Sequence, residues 1–265
     1  MSRVGKVQLL FYILTFGLIA LLLAAEAARP LSPLRHALGQ RWFSNVALFA
    51  CYQAVLIWIV PAYATAGAQV AANRGWGLFH HVDAPAWLMA VVVLLVVDSV
   101  GYLTHRAEHA VPALWRIHRS HHSDPDLDLT TGLRFHPLEM LLRGTVAAAA
   151  MVLLGAPMAI VAGCVLFTST VSLVSHVNAD LMPARLESML QGLLVTPRMH
   201  RIHHSADLQD SNSNFGTALS IWDRMLGTYR HGPDVSFAQM QFGVVDRSAA
   251  DGVSIGRILA DPALG

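Results

Sequence analysis

Charged residues are scarce in this chain of 265 residues. Asp, Glu, Lys and Arg make up 13% of it, about half the share typical of a soluble globular domain, whereas apolar residues make up 54%. Lysine is nearly absent, with Lys6 the only one, and the formal net charge is +1. A charge so close to zero argues against nucleic acid or another polyanion as a partner. The composition is that of a membrane protein.

Cysteine is equally rare. Cys51 and Cys164 are the only two, both lie within apolar runs, and neither belongs to a CxxC motif. This pattern argues against a disulfide framework and against a thiolate metal site. Any bound metal is therefore expected to have nitrogen or oxygen ligands. Histidine, in contrast, occurs fourteen times.

Long apolar runs predict membrane-spanning helices. Three runs are each long enough to cross a hydrocarbon core about 30 Å thick, at about 7–25, 45–65 and 85–104. The first run could instead be a secretory signal peptide, because Arg3 and Lys6 precede it, although its apolar stretch is long for a signal. We keep it as a span.

A fourth apolar region, 144–176, is too long for one helix and is interrupted at Gly155 to Pro157. It predicts two shorter helices in a hairpin that dips into the bilayer, with both ends on one side. The chain is therefore predicted to be all-α, with about four to five membrane helices.

Arginine placement predicts the orientation. Three arginines follow the first span and three follow the third, whereas the loop after the second span has only Arg74; the two sets are Arg29, Arg35 and Arg41, and Arg106, Arg116 and Arg119. The histidine motifs after the third span are accordingly expected on the cytoplasmic side. The tail from about Asp246 onward is expected to be surface.

The histidines are spaced for helix faces. Residues three and four apart share one face of an α-helix, so HRAEH presents His105 and His109 together at the end of the third span. Two further motifs, HRSHH and HRIHH, repeat an i, i+3, i+4 pattern, with His118, His121 and His122 in one and His200, His203 and His204 in the other. SHVN and RFHPLE add His176 and His136 at the two sides of the hairpin.

Metal binding explains this crowding better than a metal-free arrangement does. Six imidazoles on adjoining faces would repel one another wherever they became protonated. Imidazole without thiolate suits iron, zinc or copper, and eight or more imidazoles exceed what one ion binds, so two metals are indicated. The isolated histidines are expected to be ordinary surface or hydrogen-bonded residues: His36, His80, His81 and His231.

Residues 95–230 closely resemble the fatty acid hydroxylase and sterol desaturase superfamily of integral membrane di-iron oxygenases. The resemblance rests on the order of HRAEH, HRSHHS, RFHPLE, SHVN, HRIHHS, SNFG and WDRMLGTY. It implies a mostly helical membrane protein with a cytosolic helical cap that holds two metals. It also implies that dioxygen and two electrons are used to hydroxylate or desaturate a C–H bond of a lipid such as a sterol or a fatty acyl chain.

The same resemblance implies which residues form the site. The metal ligands would be His105, His109, His118, His121, His122, His176, His200, His203 and His204, with His136 an additional candidate. Residues expected to orient the imidazoles by hydrogen bonds are Asp98, Tyr102, Asn178, Asp210 and Asn214. No catalytic residue beyond the metal ligands is predicted. WDRMLGTY, Trp222 to Tyr229, is interpreted as an interfacial anchor.

The implied cofactors are two iron ions, for which zinc could substitute, with dioxygen as co-substrate. The implied partners are a lipid, the membrane and a separate electron-donor protein of ferredoxin or cytochrome type, because no fused haem or iron–sulfur domain is evident. The location is expected to be a bacterial inner membrane. Three regions are expected: an N-terminal transmembrane region at 1–83, a fatty acid hydroxylase-like region at 84–235 and a C-terminal tail at 236–265.

Two other functions fit parts of the sequence. HRAEH matches the H-x-x-E-H motif of inverted zincin proteases, in which Glu108 would be the general base. That motif leaves the other histidine clusters unexplained, and in the oxygenase interpretation Glu108 is expected to be a helix-surface carboxylate near Arg106 or Arg116. A non-enzymatic haem or metal-binding membrane protein is the third alternative, but its paired histidines are expected deep within facing spans.

Overall fold

A computed structural model describes residues 3–232 and 236–264, with side chains described for all of these except 3–15 and 61–65. Thirteen α-helices, α1 to α13, lie in this part of the chain, and it contains no strand beyond two isolated bridges. The predicted all-α class is confirmed.

Seven elements form the membrane part. They are α1 (Arg3–Ala28), α2 (Leu38–Ala54), a π-helical turn (Val55–Ile59), α3 (Val60–Arg74), α4 (Ala86–Ala110), α6 (Pro137–Leu154) and α7 (Met158–Ser175). Among the described residues, four segments are long and apolar enough to cross a membrane: Leu38–Ile59, α4, α6 and α7. Helix α1 covers the first predicted span, and its apolar part within the fully described residues is Phe16–Ala28.

The hairpin of α6 and α7 is longer than a segment that only dips into the bilayer. Each helix has 18 residues, or about 27 Å, and both pack along α4. The turn at Gly155 has φ +62° and touches Gly77, where a Cβ atom would lie 2.8 Å from the Cα of Gly155. This tip therefore lies beside the turn that joins α3 to α4. The other ends of the two helices share a side, as predicted.

The remaining helices build a cap around the histidines. They are α5 (Pro112–His122), α8 (Ala184–Leu190), α9 (Pro197–His203), α10 (Leu208–Ser211), α11 (Ile221–Met225), α12 (Ala249–Gly252) and α13 (Ile255–Leu264). Buried ion pairs join this cap to the membrane helices. Arg41 of α2 is fully buried, donates to Asp124 at 3.0 Å and also pairs with Asp128. The two carboxylates, which also accept hydrogen bonds from Trp42 and Asn45, offset the cost of burying that guanidinium.

The C-terminal segment is part of this cap. The expectation of a surface tail from Asp246 onward is wrong, because Ile258 and Asp261 of α13 are fully buried. The side chain of Arg119 on α5 donates to the carbonyl of Asp261 at 3.2 Å. The buried Ile258 and the polar contact of Asp261 hold α13 against α5, the helix that carries three of the histidines.

Candidate metal centre

Two prolines begin the helices that carry the repeated histidine motifs. Pro112 and Pro197 each occupy the first turn of their helix, α5 and α9, where a missing N–H costs nothing. The Thr196 side chain caps α9 by accepting from the N–H of Met199. Each motif is consequently carried by a short helix, at its C-terminal end.

Nine of the predicted ligands come together in two groups. The ligand atoms within each group lie within 4.8 Å of one another. The first group contains His105, His109, His118, His122 and His203. The second group contains His121, His176, His200 and His204. The motif HRSHH thus contributes two rings to the first group and one to the second, whereas HRIHH contributes one ring to the first group and two to the second.

The Nε2 atoms of the first group converge closely. Nε2 of His118 lies 3.1 Å from Nε2 of His105 and 3.1 Å from Nε2 of His122, and His122 lies 3.2 Å from His109 through the same atoms. His203 adds an Nε2 atom that is buried without a hydrogen-bond partner, while its Nδ1 donates to the carbonyl of Ser213 at 2.8 Å.

The second group has the same geometry. Nε2 of His176 lies 3.2 Å from Nε2 of His121 and 3.0 Å from Nε2 of His200, which in turn lies 3.1 Å from Nε2 of His204. Two imidazole nitrogens bound to one ion at about 2.0–2.1 Å, with angles between those of an octahedron and a tetrahedron, are separated by roughly 2.9–3.4 Å. The observed separations fit that range in both groups.

Hydrogen bonds at Nδ1 fix the tautomers of these rings, so that the lone pairs of their Nε2 atoms point toward each other. Nδ1 of His121 donates to the carbonyl of Arg134 at 2.9 Å, and Nδ1 of His176 donates to the carbonyl of Ser172 at 2.6 Å. A carbonyl only accepts, so each neutral ring carries its proton on Nδ1 and an unprotonated Nε2. Two lone pairs 3.2 Å apart repel unless a cation lies between them.

Protonation does not supply that cation near neutral pH. Burial lowers the pKa of His176 to about 4 and that of His203 to about 3, because the charged imidazolium loses its hydration. Burial also lowers the pKa of His118, His121 and His200 well below the ordinary value, with neighbouring imidazoles acting in the same direction. The donor set of each group therefore fits a metal ion held by neutral imidazoles.

A buried charge network lies behind His118. Its Nδ1 donates to Glu139 at 2.9 Å, and Arg143 pairs with Glu139 at 3.1 Å and also with Glu108. Glu108 is buried, so the expectation of a surface carboxylate near Arg106 is wrong. The carboxylate of Glu108 lies 3.6 Å from Nδ1 of His118, on the side of the ring opposite Nε2. It does not face the converging nitrogens as a zincin general base would.

His136 lies outside both groups. Its Nδ1 accepts from the N–H of Leu138 at 3.1 Å and so caps α6, while its Nε2 donates to the carbonyl of Leu259 at 3.3 Å. Both ring nitrogens are thus used in holding α6 and α13. The isolated histidines also lie outside the two groups of the described residues.

Four of the residues expected to orient imidazoles hold other groups instead. Asp98 accepts from the N–H groups of Ala218 and Leu219 and from the indole of Trp222. The hydroxyl of Tyr102 bonds that of Thr228, and the side chain of Asn178 bonds Ser32 and Arg201. Asn214, with φ +53°, bonds the carbonyl of Met199. The fifth residue, Asp210, forms an ion pair with Arg230. Their positioning of the imidazoles is indirect.

The segment Trp222 to Tyr229, interpreted above as an interfacial anchor, holds backbone next to the site through hydrogen bonds. The indole N–H of Trp222 donates to Asp98 at 2.8 Å, and Asp223 accepts from the N–H groups of Phe215 and Gly216. The carbonyl of Phe215 in turn accepts from Nδ1 of His105 at 2.8 Å. Asp223 thereby fixes the backbone that orients a candidate ligand.

Sequence reasoning missed two further residues, Glu139 and Asp223. Glu139 is the carboxylate that accepts from His118, and Asp223 holds the backbone whose carbonyl accepts from His105. Their positions within RFHPLE and WDRMLGTY were a usable signal, because polar residues inside motifs that carry or flank ligands are candidates for orienting them.

Comparison with known proteins gives consistent results. The fatty acid hydroxylase family model matches residues 90–228. An ornithine lipid hydroxylase of Rhizobium tropici is 37% identical over 150 residues, which are 56% of this chain and 44% of that protein. An alkylglycerol monooxygenase of Danio rerio is 30% identical over 58% of this chain and 34% of its own length.

A very-long-chain aldehyde decarbonylase of Oryza sativa is 33% identical over 52% of this chain and 53% of its own length. The aligned region thus covers about half or less of each of these relatives. No solved structure matches the chain.

Proposed function

Because the chain belongs to the fatty acid hydroxylase family, we propose that it is a membrane-bound di-iron oxygenase that uses dioxygen and two electrons to hydroxylate or desaturate a C–H bond of a lipid. The two groups of converging imidazoles carry this proposal. The names of its relatives include hydroxylases and a monooxygenase that act on lipids, which supports the substrate class.

One metal would be held by each group of imidazoles. His105, His109, His118, His122 and His203 would hold the first, and His121, His176, His200 and His204 the second. Iron held in this way supplies the oxidising power that an alkyl C–H bond requires, because such a bond offers no acidic proton for acid–base chemistry. Zinc could take the same positions, since imidazole suits both metals.

The protein contributes positioning and exclusion of water. Eight of the nine imidazoles in the two groups are buried, and backbone carbonyls or a carboxylate fix the ring orientation of His105, His118, His121, His176 and His203. A fixed ring keeps its Nε2 atom directed into the group without the entropy loss of ordering a mobile ligand. A separate electron donor of ferredoxin or cytochrome type would deliver the two electrons.

The arginine distribution supports a cytoplasmic location for the site in a bacterial inner membrane. The loop between α1 and α2 lies on the histidine side, since Arg29 pairs with Asp180 at 3.3 Å and the N–H of Arg35 donates to Asp126. Cationic loops favour the cytoplasm. We assign the site to residues 84–235, with 1–83 as the N-terminal membrane region and 236–265 as a tail that covers α5.

The test is metal content measured together with oxygen-dependent product formation. Protein purified in mild detergent is expected to carry close to two transition-metal ions per chain and, when loaded with iron, to oxidise extracted membrane lipids with a reductant and dioxygen. His121→Ala and His203→Ala are expected to abolish oxidation while membrane insertion persists, because insertion depends on the apolar spans. One ion or none in well-folded protein, or full activity in either variant, would count against the proposal.

A further inference from the structure

A cavity of about 360 Å³ leads from the protein surface to the first group of imidazoles. His109 lines it, and His109 is the one of the nine described candidate ligands that is not fully buried. The cavity therefore reaches a candidate ligand ring at the point where that group is accessible. Its size is within the range of small-molecule sites.

The cavity wall is amphipathic. Trp115, Leu208 and Val245 form much of its apolar side, and Asn212 and Asp246 lie on its polar side. Leu208 and Val245 are 66% and 77% exposed, so apolar surface extends to the mouth. A mouth that presents apolar side chains beside a carboxylate suits a ligand that has an alkyl part next to a polar part.

The level of the cavity follows from the length of α4. This helix has 25 residues, which span about 37 Å at 1.5 Å per residue, more than the hydrocarbon core of about 30 Å. His109 lies one residue before its end, on the side where the cap begins. An α4 helix that spans the core would place the cavity at the headgroup level of the bilayer, whereas the terminal methyl groups of lipid chains lie about 15 Å deeper, near the midplane.

We infer that the cavity receives the headgroup-proximal part of a membrane lipid, so that the oxidised C–H bond lies close to the polar group and not at the end of a chain. The inference rests on the proposed function. The carboxylate of Asp246 and the Asn212 side chain favour a polar group that donates hydrogen bonds, such as an amine, a hydroxyl or an amide N–H. A lipid of this class presents its reacting carbon while its chains stay in the bilayer.

Photo-crosslinking tests the inference without turnover. The zinc-loaded full-length protein in phosphatidylcholine nanodiscs would be exposed to two phosphatidylethanolamine probes. One probe carries a diazirine on an acyl carbon beside the glycerol ester, and the other carries it beside the chain terminus. The headgroup-proximal probe is expected to label peptides 208–212 and 244–246 at least fivefold more than the terminal probe does. Equal labelling, stronger labelling by the terminal probe, or no labelling of these peptides by either probe would overturn the inference.

A matched pair of variants links the labelling to the cavity. Leu208→Asp changes an exposed leucine on the cavity rim, and Leu186→Asp changes a 48% exposed leucine on α8, outside the lining. With two zinc ions retained in both, Leu208→Asp is expected to reduce labelling of 244–246 at least fivefold, and Leu186→Asp to leave it unchanged. Equal labelling in the two variants would contradict the assignment. The labelling uses zinc-loaded protein and requires no turnover. A failure of the proposed oxygenase activity would therefore be distinguishable from a failure of this inference.

Discussion

Glu139 accepts a hydrogen bond of 2.9 Å from Nδ1 of His118, although the two residues belong to different helices, α6 and α5. The other four rings held through Nδ1, those of His105, His121, His176 and His203, donate to backbone carbonyls. A carboxylate makes an imidazole more basic than a carbonyl does and strengthens its bond to a metal. The two groups of imidazoles therefore differ in the kind of partner behind their rings as well as in the number of rings.

Replacing Glu139 with Gln is expected to weaken metal binding by the first group. Gln keeps the size and an acceptor oxygen but removes the charge behind His118, and losses of partners of this kind typically reduce metal affinity about 10–100-fold. The measurement is zinc retained per chain across a series of chelator concentrations. The variant should fall from two ions to one at a chelator concentration at least tenfold lower than the unmodified protein requires.

Glu187→Gln is the control for that loss. Glu187 is also buried and pairs with the side chain of Arg198 at 2.9 Å, but it lies outside the groups of candidate ligands. This variant should release zinc at the same chelator concentration as the unmodified protein. Identical release curves for Glu139→Gln and Glu187→Gln would show that the carboxylate behind His118 does not support the metal.

Glu108→Gln separates the oxygenase from a protease. Glu108 pairs with Arg143 behind His118, so loss of its charge should cost about 1.5–3 kcal/mol of stability, as for a hydrogen bond to a charged group. Both metals and a substantial fraction of lipid oxidation should remain, whereas His109→Gln should lose metal and activity. Thermal unfolding, metal content and product formation are the measurements. Complete loss of turnover with both metals retained in Glu108→Gln would instead favour a general base and a hydrolytic enzyme.

His136 and His176 should respond differently to removal. His136 caps α6 through its ring nitrogen, and Ser is a good helix cap, so His136→Ser should keep two metal ions per chain. His176 supplies one of the four rings of the second group, so His176→Ala should reduce the content to about one ion. Elemental analysis of both purified variants decides the matter, and loss of metal in His136→Ser would restore His136 as a ligand.

Membrane topology gives an independent check. In a Cys51→Ser background the remaining cysteine, Cys164, is buried, so single cysteines can be introduced at exposed positions. Asn73→Cys at the end of α3 should react with a membrane-impermeant maleimide added to intact cells. Arg116→Cys and Leu264→Cys should react only after the cells are opened. Labelling of Arg116→Cys in intact cells would reverse the proposed orientation.

Local features of the sequence determined the class of the fold and most of the candidate ligands. Apolar run length alone indicated membrane helices because the thickness of the hydrocarbon core is fixed. The i, i+3, i+4 spacing in HRSHH and HRIHH indicated shared helix faces because helix periodicity is fixed. Proline likewise marks the starts of α5, α6 and α9, because its missing N–H costs nothing in the first turn of a helix.

Tertiary structure alone decided how those ligands divide between two groups. His118 and His122 turn toward α4, whereas His121 of the same motif meets His176, which lies 55 residues further along the chain. Spacing within one helix defines a face, but it does not specify which neighbouring element that face packs against. For the same reason spacing alone did not decide between His176, which the family resemblance gave as a ligand, and His136, which it gave as an additional candidate. It also did not identify Glu139, since each of these roles depends on contacts between residues distant in the chain.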